Sequence, residues 1–441
     1  MDFSLSTLHR RVVVTGIGAV TPVGNTAPAS WAALTAGKSG VGRITRFDPA
    51  ACSAQIAGEV KDLNPSAPLA KPLHPRGLGR DPVLAAISPK DLKKLGRFSH
   101  LGIVAAVEAY ADSGLDADRG NLPPERAGVN LGVGLGGLPE IAATQDNWHQ
   151  QGYRKISPFF ILQAAPNILA GQVAILLNFK GSNMSVASAC ATSGHALGES
   201  FRAIQRGDAD VMIAGGAEAV ITPICVGAFA QMRALSSRNE APEKASRPFD
   251  ADRDGFVIGE GSVVLILEER GRALARGARI YAEMLGYGAT ADAVHLSMLA
   301  PGAEGSRRAM LLALAEGSVP PAEVDYVSAH ATSTPGGDGE EAAAIAGLFA
   351  EARGRIHVSA VKSMTGHLLG GAGALGAMAA VLAIHEGVVP PTINLDRPDA
   401  ACLAAELDFT AHRAVRKTVR RAVTNSYGFG GTNASLVFGA P

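Results

Sequence analysis

Val186-Ala187-Ser188-Ala189-Cys190-Ala191-Thr192-Ser193-Gly194-His195-Ala196-Leu197-Gly198 has the pattern of a strand running into a helix. The β-prone run Met184 to Val186 leads into it. Beyond it Leu197, Phe201 and Ile204 recur at helical spacing, and Gly207 marks a helix stop. Cys190 therefore falls at a strand-to-helix turn, near the positive end of the helix dipole. A thiolate is stabilised there, and a nucleophilic cysteine is activated by that placement. A small buried thiol fits the same pattern, so this segment alone leaves both readings open.

Outward from it, β-branched runs alternate with Ala-rich helical stretches. Val12-Val13-Val14, Val211-Met212-Ile213, Val263 to Leu267, Val324 to Val327 and Ile356 to Val358 are such runs, and the alternation predicts α/β layering. The uncharged stretch Leu368 to Ile384 is long enough for a membrane span. Its Gly and Ala content predicts instead a helix packed closely inside the protein. Asn64 to Pro89 carries Pro65, Pro68, Pro72, Pro75, Pro82 and Pro89, and reads as an irregular surface excursion. Thr15-Gly16-Ile17-Gly18-Ala19-Val20-Thr21 resembles a dinucleotide fingerprint, but the third glycine is missing and Pro22 interrupts the expected helix. A nicotinamide site is therefore rejected. Ser188 to Ser193 is echoed by Ser328 to Ser333, a match too short to establish duplicated halves.

A chain of 441 residues, 47% of them hydrophobic, buries a large core, as two domains or halves. A formal net charge of zero gives no global attraction to nucleic acid or to an acidic membrane surface. Cys52, Cys190, Cys225 and Cys402 are far apart with no CxxC pair. That argues against a zinc site or a disulfide framework and favours a reducing compartment. Met1 to Arg10 has no apolar signal-peptide core, so a cytoplasmic location is expected.

Three further clusters bear on Cys190. His330, in Ala329-His330-Ala331-Thr332-Ser333-Thr334-Pro335, follows the strand-like Val324 to Val327, at a strand end where catalytic groups of α/β sheets concentrate. Lys362-Ser363-Met364-Thr365-Gly366-His367 follows the β-prone Ile356 to Val361, placing Lys362 and His367 at another strand-to-helix turn. Finally, Val423 to Asn433 contains a glycine-dense loop in which Phe429 lies between Gly428 and Gly430-Gly431.

Together these segments resemble the β-ketoacyl-acyl-carrier-protein synthases, closest to the type II elongating branch. The likeness also runs through Gly134-Leu135-Gly136-Gly137, Lys155-Ile156-Ser157-Pro158-Phe159, Ala214-Gly215-Gly216-Ala217-Glu218 and Arg247-Pro248-Phe249-Asp250, nearly end to end. It implies a thiolase-like fold, five layers αβαβα from two pseudo-duplicated halves, 1–275 carrying Cys190 and 276–441 carrying the histidines. It also implies a homodimer, no metal or other cofactor, and substrates carried on the phosphopantetheine of acyl carrier protein.

By the same resemblance, the Cys190 thiolate accepts an acyl group, with the backbone N–H groups of Cys190 and Phe429 as its oxyanion hole. His330 and His367 hydrogen-bond the thioester oxygen as malonyl-carrier loses carbon dioxide. Lys362 holds His367 and sets the electrostatics of the site. Asp338 and Glu341 play a supporting role, although a solvated helix start is the plainer reading of that pair. Thr332 and Thr334 bind the pantetheine arm, and Leu135 limits acyl length. Phe429, between glycines that allow φ > 0, is the gate. Lys90, Lys93 and Lys94, as a helical cluster, and Arg233 dock an acidic carrier; an ordinary solvated basic face is the rival reading.

Three positions depart from the family pattern. Gly376 stands where these enzymes carry a glutamate nine residues after the second histidine, Ala331 where glycine is usual, and Tyr427 where phenylalanine is usual. They leave room for a specialised polyketide or polyene ketosynthase. A non-catalytic chain-length partner is disfavoured by the presence of all four catalytic residue types. A degradative thiolase is disfavoured because no cysteine follows Cys402.

Overall fold

The computed structural model describes residues 10–73, 83–118 and 121–441. Ten strands make one continuous mixed sheet: β1 (Val12–Val20), β2 (Ala127–Val133), β3 (Asn183–Met184), β4 (Val211–Glu218), β5 (Gly261–Glu269), β6 (Ala282–Ala291), β7 (Tyr326–Ser328), β8 (His357–Ser359), β9 (Arg421–Gly428) and β10 (Thr432–Gly439). Outward from the centre the order is β1-β5-β4-β2-β3 on one side and β6-β10-β9-β7-β8 on the other. Each set of five consecutive strands thus repeats one order: first, fifth, fourth, second, third. The sets meet where Val12 to Val14 pair antiparallel with Ala282 to Met284.

Alternation along the strands sorts side chains into layers. In β4, Val211 and Ile213 face outward with helices α1 (Arg97–Asp112) and α2 (Ile168–Leu177), while Met212 and Ala214 face inward. The inward side chains of both sets pack on two central helices, α3 (Thr192–Gln205) and α6 (Ala372–Glu386). Beyond the second set, α4 (Glu304–Glu316) and α5 (Gly337–Leu348) cover Val327, Val358, Val423 and Val437. The layering is therefore αβαβα, as the resemblance implies. Residues Ala372 to Ala383 of α6 are all buried, and small side chains let it lie close to α3: a Cβ at Gly373 would stand 2.6 Å from Gly194 N. The apolar stretch Leu369–Glu386 is 83% buried inside the protein, consistent with the packed helix its composition predicts.

One expectation needs correction. The Asn64 to Pro89 stretch is not irregular throughout: Pro68–Leu73 and Val83–Ala85 pair antiparallel, and residues 74–82 lie outside those described. Residues 1–9 of the N-terminal stretch also lie outside them. Gly16 and Gly18 belong to no phosphate loop. They sit inside β1, where a Cβ would come within 2.3 Å of Ala109 O and 1.9 Å of Ala105 O of α1. The Ser188/Ser328 echo has no topological meaning, because Cys190 follows the third strand of its set and His330 the second.

Candidate active site

Strands β2, β3 and β4 run parallel, as do β7, β8 and β9, so each set gathers the C-terminal ends of its second, third and fourth strands. In α/β sheets ligands collect at such ends. Here Leu135 and Cys190 follow β2 and β3, and Glu218 closes β4. His330, the Lys362–His367 turn and Phe429 follow β7, β8 and β9 of the second set. Of these, Cys190, His330, His367, Leu135, Glu218 and Phe429 line a common cavity of about 830 Å³.

The Cys190 turn is tightly specified. Ala189 holds φ +50°, a left-handed conformation that costs a non-glycine residue about 1 kcal/mol or more and needs support from its surroundings. Ser188 supplies that support. Its N–H donates to Thr192 Oγ1 (2.8 Å), its Oγ meets His195 Nδ1 (2.7 Å), and its carbonyl accepts from Thr432 Oγ1 (3.2 Å). The backbone N–H groups of Phe429 and of Cys190 both face the Cys190 sulfur. Burial pushes the free thiol up to about 12, with Glu218 adding to the rise and Lys362 opposing it. Burial thus works against the ionisation that a helix-end position favours.

His330 and His367 stand edge to face, ring centroids 5.6 Å apart. His367 Nδ1 accepts from Leu369 N–H (3.3 Å), which puts the ring proton on Nε2. That Nε2 is buried without a hydrogen-bond partner, as is His330 Nδ1. Burial, with the charge of Lys362 beside them, holds both imidazoles well below the ordinary histidine range, so they are neutral. Lys362 is itself pulled down to about 8 by burial, against the carboxylate of Glu341. Its ammonium donates to the carbonyl of His330. The lysine therefore grips the first histidine's backbone rather than His367, which corrects the expected assignment.

Asp338 and Glu341 are no solvated helix start; each is 1% exposed. Glu341 accepts the amides of His330 (2.8 Å) and Ala331 (2.7 Å), and Asp338 those of Thr332 (3.0 Å) and Ser333. Four successive N–H groups after β7 are thereby satisfied, and this fixes the turn that presents His330. Thr332 Oγ1 and Thr334 Oγ1 meet at 3.2 Å on the cavity wall. Gly430 and Gly431 adopt φ +88° and +71° in the β9–β10 hairpin. Gly428 does not share that conformation. It is required for space, since a Cβ there would lie 2.6 Å from Thr432 Oγ1 and 2.7 Å from Ser188 O.

At Gly376 a Cβ would lie 2.6 Å from Thr424 Oγ1, a buried hydroxyl without a partner, so the glutamate's usual place is filled here from β9. The three lysines do not share a helix: the helix is Pro89–Leu92, Lys93 and Lys94 follow it, and Lys94 is paired with Asp91 (2.6 Å). Lys90, Lys93 and Arg233 are exposed, and Arg233 lies on the cavity rim. Among the described residues no group of three or more His, Cys, Asp or Glu is placed to hold a metal ion. Sequence reading assigned no role to Ser188, His195, Thr432 or Glu218. A carboxylate closing an apolar strand at Glu218 was the one available signal.

Fold and site together define an enzyme of the thiolase fold. Residues 9–273 match the model for the beta-ketoacyl synthase N-terminal domain and residues 281–396 that for the C-terminal domain, and the chain belongs to the β-ketoacyl synthase family. It is 45% identical over 428 residues to 3-oxoacyl-[acyl-carrier-protein] synthase 2 of Coxiella burnetii, covering 97% of this chain and 98% of that protein. The namesake from Synechocystis sp. is 44% identical over 429 residues, with 97% and 98% covered. Among solved structures, a beta-ketoacyl synthase from Burkholderia phymatum superposes with TM-score 0.86 at 32% identity, covering 98% of this chain and all of that one. A type II polyketide ketosynthase in complex with its acyl-carrier protein and bound to the hexaketide gives TM-score 0.86 at 30% identity, with the same coverage.

Proposed function

We propose that this chain catalyses the decarboxylative Claisen condensation of an acyl-enzyme thioester with malonyl-acyl-carrier protein in fatty acid elongation. The observation that carries the reading is one cavity holding a cysteine whose sulfur faces two backbone N–H groups, beside two neutral imidazoles with unpartnered buried nitrogens. Cys190 Sγ attacks the acyl thioester, and the carrier thiol leaves with the proton. The amides of Cys190 and Phe429 hold the developing oxyanion. His367 Nε2–H and the His330 ring then donate to the malonyl thioester oxygen. Loss of carbon dioxide leaves an enolate there, and its carbon attacks the acyl-Cys190 carbonyl. The C–S bond to Cys190 breaks, the departing thiolate takes up one proton from solvent, and the products are the free thiol, carbon dioxide and a 3-oxoacyl-carrier longer by two carbons.

A neutral imidazole keeps one N–H, so each ring still donates to the enolate oxygen. Thr332 and Thr334 hold the pantetheine arm, Leu135 bounds the acyl chain, and Phe429 with Gly430 and Gly431 gates entry. The carrier's arm brings both thioesters, so no metal or organic cofactor takes part. Lys90, Lys93 and Arg233 attract the acidic carrier, and location is cytoplasmic. Halves 1–275 and 276–441 act as one unit within a homodimer. Support for the dimer comes from β3, an exposed edge strand next to the nucleophile loop, with Trp148, Tyr153, Ile161 and Ile175 exposed on nearby segments.

A specialised ketosynthase is the second reading, favoured by Gly376 and by the type II polyketide ketosynthase structure at 30% identity. Identities of 41–45% to fatty-acid synthases weigh against it. The test is incubation with saturated acyl-carriers of graded length plus malonyl-carrier. One carbon dioxide per 3-oxoacyl product supports elongation; loading only by aryl or polyketide thioesters refutes it.

A further inference from the structure

Glu218 closes β4 with no exposed surface. Backbone amides satisfy its carboxylate: Oε1 accepts from Leu135 N (3.1 Å) and Gly136 N (3.2 Å), Oε2 from Gly134 N (3.0 Å) and Gly370 N (3.2 Å). The first three donors belong to the loop after β2 that carries Leu135. The fourth follows His367, in the other half of the molecule. Contact is close enough to exclude side chains: a Cβ at Gly134 would lie 2.5 Å from Glu218 Oε2, and one at Gly370 2.8 Å from it.

The Gly370 contact bears on the second histidine. Leu369, one residue earlier, is held at φ +46°, a strained conformation for leucine, and its N–H is the donor that fixes the His367 tautomer. A strained residue persists only where its neighbours are pinned, and Gly370 is pinned by Glu218. We infer that Glu218 is a positioning residue that locks the Leu135 wall of the acyl pocket and the His367 turn into one unit, coupling chain-length selection to decarboxylation. The inference rests on the condensing reading above. Burial raises Glu218 to about 7, the amides oppose the rise, and its ionised form lifts the Cys190 thiol.

Glu218→Gln tests this with little change of shape. Whichever way the amide turns, its NH2 faces backbone N–H donors that the carboxylate accepted. The purified variant is given malonyl-carrier alone, with carbon dioxide release measured, and then saturated acyl-carriers of graded length, with loading of Cys190 followed by intact mass. The expected result is about a tenfold or greater fall in carbon dioxide release, together with a several-fold shift in the ratio of long- to short-chain loading. Unchanged values, or loading lowered equally for every chain, would overturn the role. Should wild-type enzyme neither load nor decarboxylate, the condensing reading itself fails, a distinct outcome. If Glu218→Gln does not fold, Gly370→Ala presses on the same link while keeping the carboxylate. Its carbon dioxide release should fall, and wild-type release with a wild-type chain profile would overturn the inference.

Discussion

The backbone N–H of Phe429 faces the sulfur of Cys190 across the junction of the two halves. Phe429 thus lies at the fourth strand end of the second half, and Cys190 at the third strand end of the first. Ser188 and Thr432 tie these segments together, through the 3.2 Å contact of Thr432 Oγ1 with the Ser188 carbonyl. Residues of both halves line the common cavity.

Neutral histidines predict the shape of the pH profile. Burial sets both imidazoles well below the ordinary range, so lowering pH through 6.5 leaves them unprotonated. Carbon dioxide release from malonyl-carrier should lack the acid limb that an ordinary histidine near 6.5 gives, and changes between pH 8 and 7 belong to Lys362 and Glu218, which titrate at about 8 and about 7. A limb centred at 6.5 in release rates would contradict their neutral, buried state.

Glu341→Ala removes the acceptor for two buried amides, those of His330 and Ala331. Each donor orphaned in this way costs about 1–3 kcal/mol. Thermal unfolding should fall by several degrees, and carbon dioxide release should fall further than acyl loading of Cys190, because the histidine turn depends on this carboxylate. Equal losses in both half-reactions would show a general defect instead.

Gly376→Glu restores the family's usual residue but meets Thr424 Oγ1. Overpacking of this kind costs about 1–3 kcal/mol. Denaturant titration should show that loss, and Thr424→Ala in the same chain should recover part of it. A fully stable single variant would mean that β9 yields more readily than its buried position indicates.

Carrier affinity should weaken with salt if Lys90, Lys93 and Arg233 attract an acidic surface. Neutralising Lys90 and Lys93 should raise the KM for acyl-carrier several-fold, while Lys94→Ala has less effect, since Lys94 is already paired with Asp91. KM values indifferent to salt and to all these changes would remove the docking assignment.

Much of this was legible in the residues. Strand-end positions of Cys190, His330 and His367 follow from β-branched runs placed just before them, and the buried α6 from its Gly and Ala. Long-range contacts were not legible. Nothing local reveals that Lys362 reaches the His330 carbonyl, that Glu218 gathers amides from two loops, or that Thr424 fills the space beside Gly376. Nor does a helix-end position disclose how strongly burial opposes ionisation of the thiol.

The most direct test of the central claim is intact-mass analysis of enzyme incubated with a saturated acyl-carrier, followed by malonyl-carrier. The account predicts one acyl adduct, mapped to Cys190, that disappears when malonyl-carrier is added as a 3-oxoacyl-carrier forms. It also predicts that Cys190→Ala takes no adduct yet still releases carbon dioxide from malonyl-carrier. An adduct at another residue, or full elongation by Cys190→Ala, would contradict it.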